Sequence, residues 1–283
     1  MSITNLSQLY RSTKPTNETT VSEKEWIVGI HTVTELLKQH PQEILELLIQ
    51  QDRDDERIKE IKALATELGI SWKALDKRDL EKRITPSGKG NAQGRPKPPV
   101  HQGVAASCPI GTGVKDERFL YAMLDKLPHA PLLLILDEIT DPHNLGACLR
   151  TADAAGIDAV ILPKDKSAPL NMTVRKVASG AAETVNIIAV TNLSRTLAEL
   201  KQRGIWISGA AGEAEQSLYD IDFTPPTAIV MGSEGKGLRR LTREHCDHLL
   251  SIPMAGKLSS LNVSVATGIC LYEALRQRKA PNS

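Results

Sequence analysis

Three short polar segments, each following an apolar run that reads as a β-strand, hold the residues best suited to chemistry in this chain. The first is Asp137-Glu-Ile-Thr-Asp-Pro-His-Asn-Leu-Gly-Ala-Cys-Leu-Arg150. Asp141 followed by Pro142 predicts a helix start, with Asp as N-cap and Pro at the first helical position. Asn144 falls in the first turn of that helix and Arg150 lies further along it. Leu149 and Ala152 make the surrounding helix apolar, so Arg150 is either a solvated or salt-bridged surface group or a functional cation. His143 has no second ligand at metal-binding spacing; it reads as structural or as a contact at the edge of a substrate.

The second segment, Ile229-Val-Met-Gly232-Ser-Glu234-Gly-Lys-Gly237-Leu-Arg, places glycines directly after an apolar strand, where backbone approaches a ligand closely. It resembles a phosphate cradle but has neither the Walker nor the Rossmann glycine spacing. Glu234, expected at a buried edge, would repel a phosphate. The loop therefore suits an uncharged or cationic nucleoside better than a di- or triphosphate. The third segment runs Ser251-Ile252-Pro-Met-Ala-Gly-Lys-Leu-Ser-Ser260-Leu261-Asn262-Val-Ser-Val-Ala-Thr-Gly. Asn262 is placed to cap a helix reaching about Arg278, with Val263, Ala266, Ile269, Cys270 and Ala274 on its buried face. Ser260 and Asn262 are caps, functional groups, or both.

These segments need a scaffold that brings three strand ends together. Residues 132–137, 159–162, 185–190, 205–208, 228–231 and 249–252 read as strands with helical patterns between them. That alternation predicts a parallel sheet covered by helices on both faces, with ligands at the carboxyl ends of its strands. Upstream, strands at 26–30, 44–49 and 71–75 and helices at 31–38 and 57–68, the latter with Gly69 as C-cap, predict a small α/β module ending near Cys108. Residues 1–25 are polar and aperiodic and read as a disordered tail. Residues 84–99, rich in Gly and Pro, read as a mobile loop, and 109–128 as a linker that is partly helical. The domains are then 26–108 and 129–283.

The chain has 283 residues with 35 Lys+Arg against 34 Asp+Glu, so no uniformly basic coat is present. Charge is nonetheless concentrated: Lys77, Arg78, Lys82, Arg83, Lys89, Arg95 and Lys97 face only Asp79 and Glu81 within 77–97, a local +5. Either this is a solvated loop or it meets an RNA phosphate backbone. The apolar runs are far shorter than the roughly 20 residues of a membrane span, and no secretion signal opens the chain. The 4 Cys lack the paired spacing of structural zinc, and they read as reduced thiols.

Taken together, the three segments resemble the three motifs of the TrmH/SpoU class of RNA 2′-O-ribose methyltransferases, within the SPOUT superfamily. The resemblance covers residues 129–279. Within that class the closer match is to bacterial enzymes acting on a guanosine ribose in the peptidyl-transferase region of 23S ribosomal RNA. Residues 141–150, 240–246 and 259–268 carry it. Residues 26–108 resemble the small RNA-binding domain of the family, related to a ribosomal-protein fold. The tail at 1–25 and the expansion at 84–99 depart from the family pattern.

The resemblance implies a trefoil knot in the C-terminal half, S-adenosylmethionine as methyl donor and no metal. It also implies 23S ribosomal RNA as substrate, a homodimer and a cytoplasmic location. It assigns donor contacts to Gly232, Ile252 and Leu261, and proton acceptance to Arg150. Because arginine holds its proton tightly, Arg150 acts either as that base or as a fixed cation for the developing alkoxide. Asn144, Ser260 and Asn262 are expected to orient ribose and donor, with Glu234 anchoring them. The helix after Asn262 is a candidate dimer face or simply core. Two rivals remain at this level: a non-catalytic RNA-binding or assembly protein, and a methyltransferase for transfer RNA or another ribosomal site.

Overall fold

In a strand, alternate residues point to opposite faces. Residues 132–137 are all buried, so both faces of their strand must be covered. The computed structural model, which describes residues 24–85 and 98–279, shows how. The larger sheet has the order β10-β12-β9-β11-β6-β7-β8-β5, and every pairing in it is parallel. Its strands are β5 (Val114–Lys115), β6 (Leu132–Asp137), β7 (Ala159–Pro163), β8 (Ile187–Val190), β9 (Trp206–Ala210), β10 (Gln216–Ser217), β11 (Thr227–Gly232) and β12 (His248–Ser251). Leu132, Leu134 and Leu136 face one core with helices α5 (Pro142–Ala155), α6 (Met172–Ala178), α7 (Ala181–Thr184) and α10 (Val263–Lys279). Leu133 and Ile135 face the other, under α4 (Glu117–Leu124) and α8 (Leu193–Gln202), with Leu238 and Cys246, which flank the short α9 (Arg240–His245), packed against it.

The smaller sheet, order β1-β4-β2-β3, is built from β1 (Lys24–Val28), β2 (Glu46–Gln50), β3 (Trp72–Leu75) and β4 (Val104–Pro109). Helices α1 (Ile30–Gln39), α2 (Glu56–Glu67) and α3 (Lys77–Ile84) accompany it. All six strands expected in the larger sheet are present, as are the three strands and two helices expected upstream. The expected linker also contributes to the large sheet: β5 pairs with β8, and α4 packs on its core. The expected tail lies almost entirely, and the expected loop at 84–99 mostly, outside the described residues.

The two chain ends of the larger unit are tied together. Arg278, near the end of α10, donates to the carbonyls of Phe223 (2.8 Å), Ala130 (2.7 Å), Pro131 (3.0 Å) and Pro225 (2.6 Å). Those carbonyls precede β6 and β11, the adjacent central strands that carry the first two polar segments.

Candidate nucleoside site at three strand ends

Parallel strands deliver their following loops to one edge, and here three loops meet there. After β6, Asp141 accepts a hydrogen bond from the Asn144 backbone N–H at 2.8 Å, and Pro142 opens α5, as the sequence predicts. Gly146, on the next turn, lets α5 lie against α6, because a Cβ there would sit 2.7 Å from Val177 Cβ.

After β11 the chain turns back tightly, with the Gly237 N–H donating to the Ser233 carbonyl at 2.9 Å. A Cβ on Gly232 would lie 2.3 Å from the Gly237 carbonyl carbon. Glycine is required there by the loop's own backbone, whereas the sequence suggested close approach of a ligand. The loop is pinned by Arg239. Its Nε donates to Asp137 Oδ1 at 2.7 Å, its backbone N–H to Asp137 Oδ2 at 3.2 Å, and its Nη2 lies 2.6 Å from Oδ1. Asp137 is fully buried at the end of β6. Sequence reasoning gives this pair no role; a carboxylate closing an apolar strand is the signal that points to it.

After β12, the loop leads to Asn262 at the start of α10. Asn262 Oδ1 accepts from the Ser264 N–H (2.9 Å) and the Ser264 hydroxyl (2.6 Å), which makes it the cap. Its Nδ2 donates to Asn144 Oδ1 at 2.9 Å and to Glu234 Oε1 at 2.6 Å. Asn262 therefore caps α10 through its amide oxygen and bridges the other two segments through its amide nitrogen. Asn144, Glu234 and Asn262 converge from three segments. Glu234 is exposed, not at the buried edge expected.

Beside this cluster is a cleft of about 570 Å³ whose lining includes Gly232, Glu234, Ile252, Ser260, Leu261 and Asn262. Its other walls come from the segments at 210–212, 231–237 and 250–254 and from Ser259, Val263 and Ala266. Glu234 is the single charged residue in the lining, with no lysine or arginine. A cleft of this size with one acid and no cation fits a nucleoside bearing positive charge and disfavours a phosphate. Arg150 is not part of that lining. It stands exposed on α5, with no ion-pair partner among the described residues. His143 is also exposed.

Thiol chemistry finds little support. Burial pushes the thiols of Cys108 and Cys270 up to about 12 and those of Cys148 and Cys246 up to about 11, so none supplies a thiolate near neutral pH. Among the described residues no group of three or more His, Cys, Asp or Glu is disposed to hold a metal. Of the seven basic residues singled out in 77–97, Lys77, Arg78, Lys82 and Arg83 lie on α3, and Lys89, Arg95 and Lys97 fall outside the described residues. Lys77 pairs with Glu81 (3.9 Å) and Arg83 with Glu46 (3.1 Å).

Residues 131–272 match the SpoU rRNA Methylase family, and residues 26–94 match the RNA 2′-O ribose methyltransferase substrate-binding family. The chain is 53% identical over 260 residues to the 23S rRNA (guanosine-2′-O-)-methyltransferase RlmB of Pseudomonas syringae pv. tomato, covering 92% of this chain and 98% of that one. It is 54% identical over 254 residues to the protein of the same name from Pectobacterium atrosepticum, covering 90% and 98%. In fold it resembles the SpoU methyltransferase AviRb from Streptomyces viridochromogenes in complex with AdoMet, with TM-score 0.72, 23% identity and 90% of each chain covered. With a family match over half its length and relatives more than half identical along nearly all of it, this chain belongs to the SpoU rRNA methylase family.

Proposed function

We propose that the protein transfers a methyl group from S-adenosylmethionine to the ribose 2′-hydroxyl of a guanosine in the peptidyl-transferase region of 23S ribosomal RNA. The observation that carries this reading is the cation-free cleft adjoining the Asn144–Asn262–Glu234 cluster. The chain carrying it is half-identical, across nearly its full length, to relatives named for that reaction. Gly232, Ile252 and Leu261 hold the adenosine part of the donor, with Glu234 as the cleft's one negative charge. Bound donor supplies an electrophilic methyl carbon on a sulfonium.

The chain's own contribution is position and electrostatics. Asn262, locked by its cap on one side and by Asn144 and Glu234 on the other, fixes the three loops relative to one another, and Ser260 orients the ribose. Arg150 presents on α5 a guanidinium with no ion-pair partner among the described residues. Arginine is a poor base, so its role here is to stabilise negative charge developing on the 2′-oxygen while the proton leaves to solvent or an RNA phosphate.

The upstream module, residues 26–108, holds the RNA. Lys82 and Arg78 have no ion-pair partner among the described residues and are the α3 cations best placed to meet phosphates, with Lys77, Arg83, Lys89, Arg95 and Lys97 adding to the field. The protein works as a homodimer: Val265 and Tyr272, two turns apart on α10, are both about half exposed, a spacing that makes one apolar stripe. The C-terminal half carries the trefoil knot of its family. A cytoplasmic location follows from the substrate, and no described helix is long and apolar enough to cross a membrane.

Mapping 2′-O-methyl groups in ribosomal RNA from cells with and without the protein tests this directly. One guanosine in the peptidyl-transferase region of 23S RNA should lose its methyl group. Unchanged 23S RNA with loss of a transfer-RNA methyl group would overturn the substrate assignment. Tight binding of ATP in place of S-adenosylmethionine would overturn the chemistry.

A further inference from the structure

Between the RNA-holding module and the methyltransferase unit lies a buried cluster of charge that the reaction does not use. Arg175 on α6 is 1% exposed, and its guanidinium pairs with Glu183 on α7, which is equally sealed. Arg175 Nη2 donates to the Thr112 carbonyl, in the connecting segment, at 2.6 Å. The third member arrives from the other unit: Glu25 on β1 places Oε1 3.6 Å from Arg175 Nε. The surrounding contacts also cross the junction. Met172 of α6 packs against the Val28, Leu48 and Leu80 cluster of the small module. A Cβ on Gly180 would lie 3.6 Å from Glu35 Cγ.

We propose that Glu25, Arg175 and Glu183 form a buried ionic lock that sets the orientation of the RNA-holding module on the methyltransferase unit. These are positioning residues, acting on the ribose through the angle at which RNA is presented to α5. The proposal rests on the RNA-methylation reading above.

Three features favour a lock over incidental packing. First, an apolar junction would cost less to form, because buried ion pairs rarely add net stability; what they add is a penalty for every misaligned arrangement. Secondly, the members come from β1, the connecting segment, α6 and α7, so only one relative placement of the two units assembles them. Thirdly, Glu25 Oε1, Arg175 Nε and Glu183 Oε2 are buried without a hydrogen-bond partner. A closure of well under 1 Å between the units would pair the first two of these at ordinary hydrogen-bond length. Burial, helped by Glu183, raises the Glu25 carboxyl above the ordinary range while Arg175 opposes it, which marks Glu25 as the least satisfied member.

The test uses the full chain. Glu25→Ala removes the module's half of the lock and leaves the Arg175–Glu183 pair intact, so folding of the methyltransferase unit is preserved. The expected result is a KM for a 23S RNA fragment raised about tenfold, a mid-range coupling between sites. Donor affinity and kcat should stay within about twofold, and amide exchange should quicken at 24–28 and 172–184. Glu25→Gln, which keeps an acceptor for Arg175 Nε, should restore most of the KM. Unchanged KM and unchanged exchange in Glu25→Ala would overturn the lock, as would equal loss of donor binding and RNA binding. If the unaltered protein methylates no 23S RNA, the functional reading fails, and the exchange measurement alone then decides the lock.

Discussion

Asn262 donates an Nδ2 hydrogen bond to Asn144 Oδ1 at 2.9 Å, joining two residues 118 positions apart at the first turns of α10 and α5. The same amide caps α10 through its oxygen and holds Glu234 through its second hydrogen. One side chain therefore does three positioning jobs, and its substitutions separate them.

Asn262→Ala should lower stability by about 1 kcal/mol, the usual worth of a helix cap, and reduce methyl transfer sharply. Asn262→Asp keeps the acceptor for Ser264 but sets a carboxylate against Glu234, so the cap survives and the loop junction does not. Melting temperature and turnover measured together distinguish the two losses. Wild-type turnover in Asn262→Asp would remove this cluster from the mechanism.

Arg150→Ala is expected to lower transfer by about 10²-fold or more, the scale of losing one group that stabilises developing charge. Donor affinity should be unchanged, since Arg150 does not line the cleft. Single-turnover methylation and equilibrium donor binding check this, and near-normal turnover would sink the assignment.

Arg239→Met leaves buried Asp137 without its guanidinium partner, keeping only the backbone N–H of residue 239; breaking a fully buried pair costs about 3–5 kcal/mol, and the partly exposed Arg239 puts the loss below that. The loop carrying Gly232 and Glu234 loses its tether, so donor affinity should fall as well. The double substitution Asp137→Asn with Arg239→Met should recover much of the stability but not the affinity. Denaturant melts and donor titrations read the two effects. Full recovery of both would reduce the pair to a structural detail.

His101 supplies a pH prediction. Its Nδ1 accepts from the Gly103 N–H at 3.0 Å, which requires that nitrogen unprotonated. Burial pulls its pKa below the ordinary 6.5; Glu81 opposes this, and Lys77 and Arg53 add to it. A depressed folded-state pKa contributes stability that is present above 6.5 and lost as pH falls through the folded value. The denaturation midpoint should therefore decline as pH falls below about 6.5, and His101→Gln should flatten that decline. An identical slope in the variant would place its origin elsewhere.

The parallel sheet and its three working loops were legible because β-branched and leucine-rich runs ended in polar residues that have no packing role. Asp141-Pro142 announced α5, and Asn262 announced α10. What was not legible depended on distance or on small side chains. β4 sits in the middle of the smaller sheet, yet Val104-Ala-Ala-Ser-Cys-Pro109 carries only one β-branched residue to signal it. α3 was hidden because its basic residues run straight into a Gly/Pro-rich stretch. β5 and β10 have two residues each, too short to show a period. The Asp137–Arg239 tether spans 102 positions, and no local pattern predicts such a partner. Arg150 stands out in the sequence for its apolar setting, whereas the structure gives it an exposed place with no ion-pair partner among the described residues.

The four carbonyls gathered by Arg278 also bear on how the protein is made. Synthesis runs from the N-terminus, so β6 and β11 leave the ribosome long before the guanidinium that ties their leading ends to α10. Until then, the central pair of strands has one face without its last helix, and Asn144 has no Asn262 to meet. The contact between the first and third polar segments is thus among the last to form, waiting on the emergence of α10.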